Sequence, residues 1–174
     1  MVTLFLLRHA KASQSSPDGD DRSRPLNERG QGAAAVMGRH MRDHGFHPDR
    51  VLCSPAARTR ETLQILSAAA GWTDADPARS FHDSLYLAAP SEIVDLLQQL
   101  NKSCAAALVV GHNPGLHDLA ITLAGPQGED YQRLLEKYPT GALAVLTAPS
   151  TTWKQVGTAR MALKHYAVPR DLVG

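Results

Sequence analysis

Reactive side chains follow two apolar runs in this sequence. Arg8 and His9 come directly after the run 2–7, and His112 comes two residues after the run 105–110. A guanidinium beside an imidazole can hold a phosphate group while the ring attacks its phosphorus atom. Polar residues also follow any buried strand that reaches solvent, so the first run alone leaves a purely structural interpretation equally open. The decision depends on what the other strand ends carry.

A third candidate, Arg58, comes shortly after a predicted short strand at 50–53. Ser54 is a favourable helix cap and Pro55 a favourable first helical residue, so a helix is predicted from there to about Gly71. Arg58 then lies near the positive end of the helix dipole. A cation is unfavourable at that end unless an anion is bound in front of it. The position of Arg58 therefore favours an anion site.

The segment after the run 105–110 repeats this arrangement, with Asn113 as the predicted cap and Pro114 as the first helical residue. Two strands thus lead into the starts of helices, one with Arg58 and one with His112. The long polar loop before the first predicted helix adds Arg24, and long loops beside strand ends are often binding segments. Cations and imidazoles that converge at helix amino ends predict a phosphate site without a metal or other cofactor.

The order of the predicted elements indicates the fold class. Helices and strands alternate early in the chain and strands dominate late, which predicts an α/β fold with a mainly parallel sheet. We expect a three-layer αβα sandwich with at least one antiparallel strand, in a single domain that spans residues 1–174. The predicted helices cover about 28–45, 55–71, 91–100, 114–123 and 131–138; the predicted strands cover 2–7, 50–53, 105–110, 141–147, 152–156 and 159–165, with a short extended piece at 80–84 and a terminal tail. Asn27 and Ser91 are the predicted caps of the first and third helices.

Composition and charge exclude several classes of protein. The formal net charge is +1, so no long-range field favours nucleic acid or a membrane surface. No run approaches transmembrane length and no secretory leader is recognisable, so a cytoplasmic protein is expected. Cys53 and Cys104 both lie in apolar runs, and we expect buried thiols in a reducing compartment. The sequence does not indicate an oligomeric state.

Three motifs resemble those of the histidine phosphatase superfamily. They are Leu7-Arg8-His9-Ala10, the segment 54–62 with the sequence Ser-Pro-Ala-Ala-Arg-Thr-Arg-Glu-Thr, and Val110-Gly111-His112-Asn113-Pro114-Gly115. The motifs occur in the order found in that family and span most of the chain. The short length, the segment Arg24-Pro25-Leu26 and the closing strands are similar to the compact branch of SixA-type phosphohistidine phosphatases.

This resemblance implies a role for each candidate residue. His9 is implied to be the nucleophile that becomes phosphorylated. Arg8, Arg58 and His112 are implied to form the rest of the phosphate pocket. Arg24 is implied to reach into the pocket from the loop.

Two positions depart from the pattern of the family. The residue after the histidine is usually Gly, whereas here it is Ala10, and we expect the turn to accept the added methyl group. Larger members take a general acid from a carboxylate in the central segment, for which Asp83 is the nearest match and Glu92 a weaker one. A turn-forming role for Asp83 is an equally good interpretation. An imidazole leaves more easily than an alkoxide and needs little proton assistance.

The predicted function is a metal-independent phosphatase that acts through phospho-His9 on phosphohistidine of a partner protein. A small phosphorylated molecule as substrate, and a phosphate-binding module without catalysis, are the alternatives. His40, His44 and His47 lie near one another, but histidines also favour helix carboxyl ends for their interaction with the dipole. No carboxylate or cysteine completes a ligand set at diagnostic spacing, so no metal site is predicted.

Overall fold

Strand β1 (Val2–Arg8) lies in the interior of the sheet in the computed structural model. Its side chains alternate between two buried clusters: Leu4 and Leu6 belong to the cluster on one face, and Phe5 and Leu7 to the cluster on the other. All four side chains are at most 3% exposed. Burial on both faces therefore explains why every position from Leu4 to Leu7 is apolar.

The structure describes residues 1–173, which form a six-stranded sheet with the order β3-β2-β4-β1-β5-β6. The strands after β1 are β2 (Arg50–Cys53), β3 (Ala78–Phe81), β4 (Ala106–Gly111), β5 (Leu143–Ala148) and β6 (Ala162–Ala167). Strands β1 to β4 are parallel, whereas β5 is antiparallel to its neighbours β1 and β6. The prediction of a mainly parallel sheet with antiparallel members is confirmed.

Helices cover both faces of this sheet. They are α1 (Glu28–Asp43), α2 (Ala57–Ala70), α3 (Pro90–Gln98), α4 (Gly115–Leu123), α5 (Glu129–Glu136) and α6 (Pro169–Leu172). Helices α1 and α2 pack on the face of Phe5 and Leu7, and α3, α4 and α5 pack on the face of Leu4 and Leu6. The three-layer αβα arrangement is therefore confirmed. Within residues 1–173, no helix is long and apolar enough to span a membrane.

Helices α1 and α2 approach each other closely at Gly38. A Cβ atom at this position would lie 2.3 Å from the carbonyl oxygen of Leu66 and 2.8 Å from the Cβ of Ala69. These distances are shorter than van der Waals contact, so only glycine permits this spacing of the two helices.

The prediction of helix caps is right for α1 and wrong for α2. The Asn27 side chain accepts a hydrogen bond of 2.8 Å from the backbone N–H of Gly30, as an N-cap does. Helix α2 begins at Ala57 rather than at Pro55, and Ala56 precedes it without a side-chain cap. Ser54 lies outside the helix because its hydroxyl contacts a side chain of the neighbouring strand end, described below.

The predicted caps of α3 and α4 are also wrong. Helix α3 begins at Pro90, where the Glu92 carboxylate accepts a hydrogen bond of 2.8 Å from the N–H of Ala89. Helix α4 begins at Gly115, and the Asn113 amide group donates instead to the backbone carbonyl of Tyr138 at 2.8 Å. Local sequence favours both caps, but a tertiary contact with Tyr138 decides the role of Asn113.

The last third of the chain differs from the prediction at two places. The segment 152–156 is not a strand but contains a 3₁₀ turn at Trp153–Gln155, because the buried indole N–H of Trp153 donates to the carbonyl of Cys104 at 2.6 Å. The segment predicted as a tail forms the short helix α6. Cys53 and Cys104 are buried and unpaired, as expected. Burial raises the pKa of the Cys53 thiol to about 12.

Candidate active site

The site lies where three parallel strands end at the same edge of the sheet. Two backbone hydrogen bonds hold these ends together: His9 N–H donates to the carbonyl of Gly111 at 3.1 Å, and Ser54 N–H donates to that of Val110 at 3.0 Å. Ligand crevices of open α/β sheets lie at this edge. The hydrogen bonds bring the ends of β1, β2 and β4 together, as the sequence predicts.

His9 is held in one orientation. Its Nδ1 lies 2.7 Å from the carbonyl oxygen of Ala10, and the side chain is buried. A carbonyl oxygen only accepts hydrogen bonds, so Nδ1 carries the proton and the lone pair resides on Nε2. This is the form in which a neutral imidazole can act as a nucleophile.

The turn after His9 accepts Ala10 without strain. Ala10 is fully buried beside Leu26 and Ala34, and its backbone lies outside the left-handed region. Its N–H donates to the Thr62 hydroxyl at 2.9 Å. The methyl group thus fills space between α1 and the loop, and the expectation that the turn would survive is confirmed.

His112 faces His9 across the pocket. The two ring centroids are 5.3 Å apart, and His112 is 3% exposed. Its Nε2 lies 2.7 Å from the Ser54 hydroxyl, whereas its buried Nδ1 has no hydrogen-bond partner among residues 1–173. This pairing is why Ser54 does not cap α2.

Near the rings of His9 and His112, Arg8 and Arg58 each have a buried N–H donor without a hydrogen-bond partner in residues 1–173. Arg58 is 2% exposed, and its terminal nitrogens donate to the backbone carbonyl and the carboxylate of Asp21 at 2.8 and 3.0 Å. Arg8 donates to the carbonyl of Tyr138 at 3.0 Å. The Nε atoms of both arginines are buried without a partner in the described part of the chain. Unpaired buried donors are unfavourable, and an oxyanion would satisfy them.

Asp21 is a residue of the site that sequence reasoning missed. Its carboxylate accepts from Arg24 Nε at 2.9 Å, from Arg58, and from the hydroxyl of Tyr86. These hydrogen bonds lower the pKa of Asp21 to about 2, the contact with Tyr86 contributing most. Arg24 is thus placed beside Arg58 through a shared carboxylate. The only sequence signal is that Asp21 precedes Arg24 by one helical turn.

Two polar side chains of the second motif, Glu61 and Thr62, make structural contacts next to the pocket. Glu61 accepts a hydrogen bond of 2.7 Å from the N–H of Leu26, and Thr62 binds the turn after His9. Helix α2 therefore fixes the loop and the nucleophile turn in addition to presenting Arg58. Arg60 points away from the pocket and stacks on the Phe81 ring at 4.5 Å.

Neither candidate for the general acid makes a hydrogen bond within the pocket. The Asp83 side chain is 86% exposed and its ion pair is with Arg22, at 3.6 Å. Glu92 is occupied at the start of α3. In residues 1–173, Asp21 is therefore the carboxylate that pairs with the pocket arginines, and it is held ionised.

Burial and neighbouring positive charges keep both histidines neutral. Burial is the main cause that lowers the pKa of His9 to about 4, and Arg58 and Arg8 act in the same direction. Burial, followed by His9 and Arg58, lowers the pKa of His112 to about 3. Burial also lowers the pKa of Arg8, with a further effect of Arg58.

These shifts predict a loss of stability in mild acid. The unfolded chain takes up a proton at each histidine below a pH of about 6.5, whereas the folded chain does not until a pH of about 4 or lower. Acidification from pH 7.5 to 5.5 is therefore expected to lower the free energy of unfolding by roughly 1 kcal/mol for each of His9 and His112. Urea denaturation of the native chain and of His9→Gln at both pH values measures how much of this loss in the free energy of unfolding is due to His9. An equal pH dependence in both proteins would contradict the prediction.

Comparison with known proteins identifies the family. The model of the histidine phosphatase superfamily (branch 1) matches residues 4–83. An uncharacterized protein of Mycobacterium tuberculosis is 36% identical over 168 residues, which cover 94% of this chain and 100% of that protein. A solved structure from Nakamurella multipartitia with the name SixA is 30% identical with a TM-score of 0.82, over 97% of this chain and 96% of the other. The chain belongs to the histidine phosphatase superfamily and is a hydrolase of that type.

Within the superfamily the chain belongs to the SixA-type branch. A second structure with the name SixA, from Agrobacterium tumefaciens, is 29% identical with a TM-score of 0.78, over 97% of this chain and 98% of the other. The resemblance stated from the three sequence motifs is thereby confirmed.

Proposed function

We propose that this protein removes the phosphate group from phosphohistidine on a partner protein, through a phosphorylated His9. The observation that carries this proposal is the ionisation of Asp21. Among the described residues 1–173, Asp21 is the carboxylate that pairs with Arg58 and Arg24. Its pKa of about 2 leaves it without a proton at neutral pH. A reaction in this pocket thus suits a leaving group that needs no carboxylic acid.

Phosphohistidine meets this requirement. His9 Nε2 attacks phosphorus, and the bond between phosphorus and the substrate's imidazole nitrogen breaks, with its electron pair passing to that nitrogen. The substrate ring, protonated by solvent on its other nitrogen, leaves as neutral imidazole. Water then attacks the phosphorus atom of phospho-His9, which yields orthophosphate and restores His9.

The other pocket residues stabilise the transferring group in this mechanism. Arg8 and Arg58 bring unpaired buried Nε donors, and the planar fork of a guanidinium suits phosphate oxygens. With the Ser54 hydroxyl donating to Nε2 of His112, the unpaired Nδ1 of His112 carries its proton toward a phosphate oxygen. Fixed donors of this kind act where charge develops in the transition state.

A protein substrate also suits the surface next to the pocket. Arg8 lines an open groove of about 470 Å³ that Lys11, Lys137, His117 and Asn113 also border. Its lining includes the three cations Arg8, Lys11 and Lys137 and one carboxylate, Glu136. An open groove of this kind leaves room for a segment of chain on either side of a phosphorylated ring. The similar solved structures named SixA support the same substrate class, and one SixA structure contains tungstate, an oxyanion of phosphate-like shape.

The proposal is tested by phosphate release from three substrates in the presence of a chelator: a phosphohistidine protein, an aryl phosphate and an alkyl phosphate. We expect phosphohistidine to be the fastest, the aryl phosphate to be slower, and the alkyl phosphate to be the slowest, because this is the order of leaving-group ability without an acid. Fastest turnover of the alkyl ester would indicate a small phosphoester as substrate. Binding of phosphate without turnover of any of them would indicate a binding module.

Asp21 is proposed to position Arg58 and Arg24 in this site. Asp21→Asn keeps the size of the side chain but removes the charge, so both guanidinium groups lose their fixed orientation. We expect kcat to fall by about 10- to 100-fold, because displacement of a catalytic group by about 1 Å has an effect of that size. Steady-state kinetics check it, with Asp18→Asn in the same loop as the matched control. Faster turnover in Asp21→Asn would mean that this carboxylate competes with phosphate.

A further inference from the structure

Three histidines form a cluster at the edge of the sheet, apart from the phosphate pocket. His40 and His44 are one turn apart at the carboxyl end of α1, and His165 faces them from β6. One ring nitrogen from each residue lies within 4.8 Å of the others, and the Nε2 atoms of His40 and His165 are 2.7 Å apart. His47, which sequence proximity suggested as a third member, lies instead against Trp72 and Asp76.

The orientation of the rings leaves lone pairs available. His44 Nδ1 lies 2.8 Å from the carbonyl oxygen of His40, so it donates there and the lone pair of His44 is on Nε2. The contact between His40 and His165 requires one of its two nitrogens to accept, hence to be unprotonated. Metal-binding histidines commonly donate their second ring nitrogen to a backbone carbonyl in this way, which fixes the ring and its tautomer.

The surroundings also fix the rings. The centroids of His40 and His44 are 4.0 Å apart, and that of His165 lies 4.9 Å from His40 and 5.1 Å from His44. Phe46 packs against His44 and His165, with centroid distances of 5.3 and 5.4 Å. His44 is exposed, whereas the other two histidines are half-buried. The cluster therefore has one side open to solvent.

We propose that His40, His44 and His165 bind a divalent transition-metal ion, for which Zn²⁺ is the best match, with water as the fourth ligand. Imidazole suits Zn²⁺, and three protein ligands plus water complete its tetrahedral shell. Bonds of about 2.0 Å to zinc place two ligand nitrogens about 3.3 Å apart, so the nitrogens of His40 and His165 need to separate by only about 0.6 Å.

Such an ion joins α1 to the edge strand β6 and has no part in phosphate hydrolysis. Helix α1 begins near the loop of the phosphate pocket, where Asn27 N–H donates to the carbonyl of Lys11. His40 lies twelve residues after Glu28, which corresponds to about 18 Å along a helix. The effect of the metal is therefore expected on the stability of the fold. This inference stands independently of the proposed substrate.

The experiment is a titration of chelator-treated protein with Zn²⁺ by calorimetry, with Co²⁺ as a spectroscopic probe and thermal unfolding as a second measurement. We expect one equivalent of Zn²⁺ to bind, a visible Co²⁺ spectrum typical of tetrahedral coordination, and a rise in Tm. His44→Ala and His165→Gln are each expected to weaken binding at least tenfold. His44 is exposed, so its replacement tests the site even if changes at His40 or His165 disturb folding.

Two controls separate this site from other histidines. His47→Gln removes a neighbouring exposed imidazole and is expected to leave Zn²⁺ binding unchanged. His9→Ala removes one of the paired rings of the phosphate pocket and is also expected to leave it unchanged. The proposal would be overturned if Zn²⁺ binding persisted in His44→Ala and His165→Gln, or if either control substitution abolished it. The three histidines would then be a hydrogen-bonded cluster without a metal.

Discussion

Turnover of phosphohistidine is expected to fall by on the order of 10⁴-fold or more when His9 is replaced by alanine, because removal of a nucleophile removes the covalent route. Nε2 of His9 carries the lone pair, since Nδ1 is committed to the carbonyl of Ala10. The measurement is kcat on a phosphohistidine protein, together with brief labelling by a phosphorus-32 substrate. Native protein is expected to retain label that is stable in alkali and lost in acid, as a phosphoramidate is, and His9→Ala is expected to retain none.

The control for this prediction is His47→Gln, which changes an exposed histidine outside the pocket and is expected to label and turn over like the native chain. Retained folding of His9→Ala is checked by its thermal unfolding at neutral pH. If His9→Ala turned over phosphohistidine within tenfold of the native rate, His9 would not be the nucleophile. Equal labelling of His9→Ala would place the phosphate on another residue.

Replacement of Arg58 by alanine is expected to lower kcat/KM by about 10²- to 10³-fold, the typical effect of losing one donor to the transition state. The guanidinium is buried at the start of α2. Among the described residues 1–173, Asp21 is the one carboxylate that forms an ion pair with it. Arg58→Lys keeps the charge but lacks the planar group, so partial recovery at most is expected. Inhibition by tungstate measures the accompanying loss of oxyanion binding.

Helix α2 offers a matched control for Arg58. Arg60→Ala removes an exposed arginine two residues away that stacks on Phe81, and it is expected to change kcat/KM by less than threefold. A double substitution tests whether Asp21 acts through Arg58: in that case Asp21→Asn has little further effect in the Arg58→Ala protein. Equal losses in Arg58→Ala and Arg60→Ala would argue that both act through the net charge of the surface.

The parts of the fold that local patterns determine are predictable from the sequence. Strand β1 follows from its apolar run, and the start of α1 follows from Asn27, whose cap forms with a residue three positions away. The gathering of Arg8, His9, Arg58 and His112 is also predictable. Arg8, His9 and His112 stand at or just after the end of a parallel strand, and Arg58 lies in the first turn of the helix that follows another. Parallel strands end at one edge of the sheet.

The contacts that depend on distant segments are not predictable in this way. Asp21 joins Arg58 and Tyr86, which are 37 and 65 residues away, and no local pattern encodes either pairing. Ser54 and Asn113 have the composition of caps, yet His112 and Tyr138 occupy their side chains. His165 joins His40 across 125 residues, so the histidine cluster could not be assembled from spacing alone.

The close approach of α1 and α2 at Gly38 has a consequence for the phosphate pocket. One helix, α2, carries Arg58, Glu61 and Thr62. Any change in the spacing of α1 and α2 would therefore displace three features together: the Arg58 donor, the contact of Glu61 with the loop at Leu26, and the contact of Thr62 with the turn after His9. A single methyl group at Gly38, which faces Leu66 and Ala69 in the carboxyl-terminal half of α2, would thus misalign three contacts made from the other half of that helix. The spacing of this helix pair therefore affects the geometry of the phosphate pocket, although Gly38 does not touch the pocket itself.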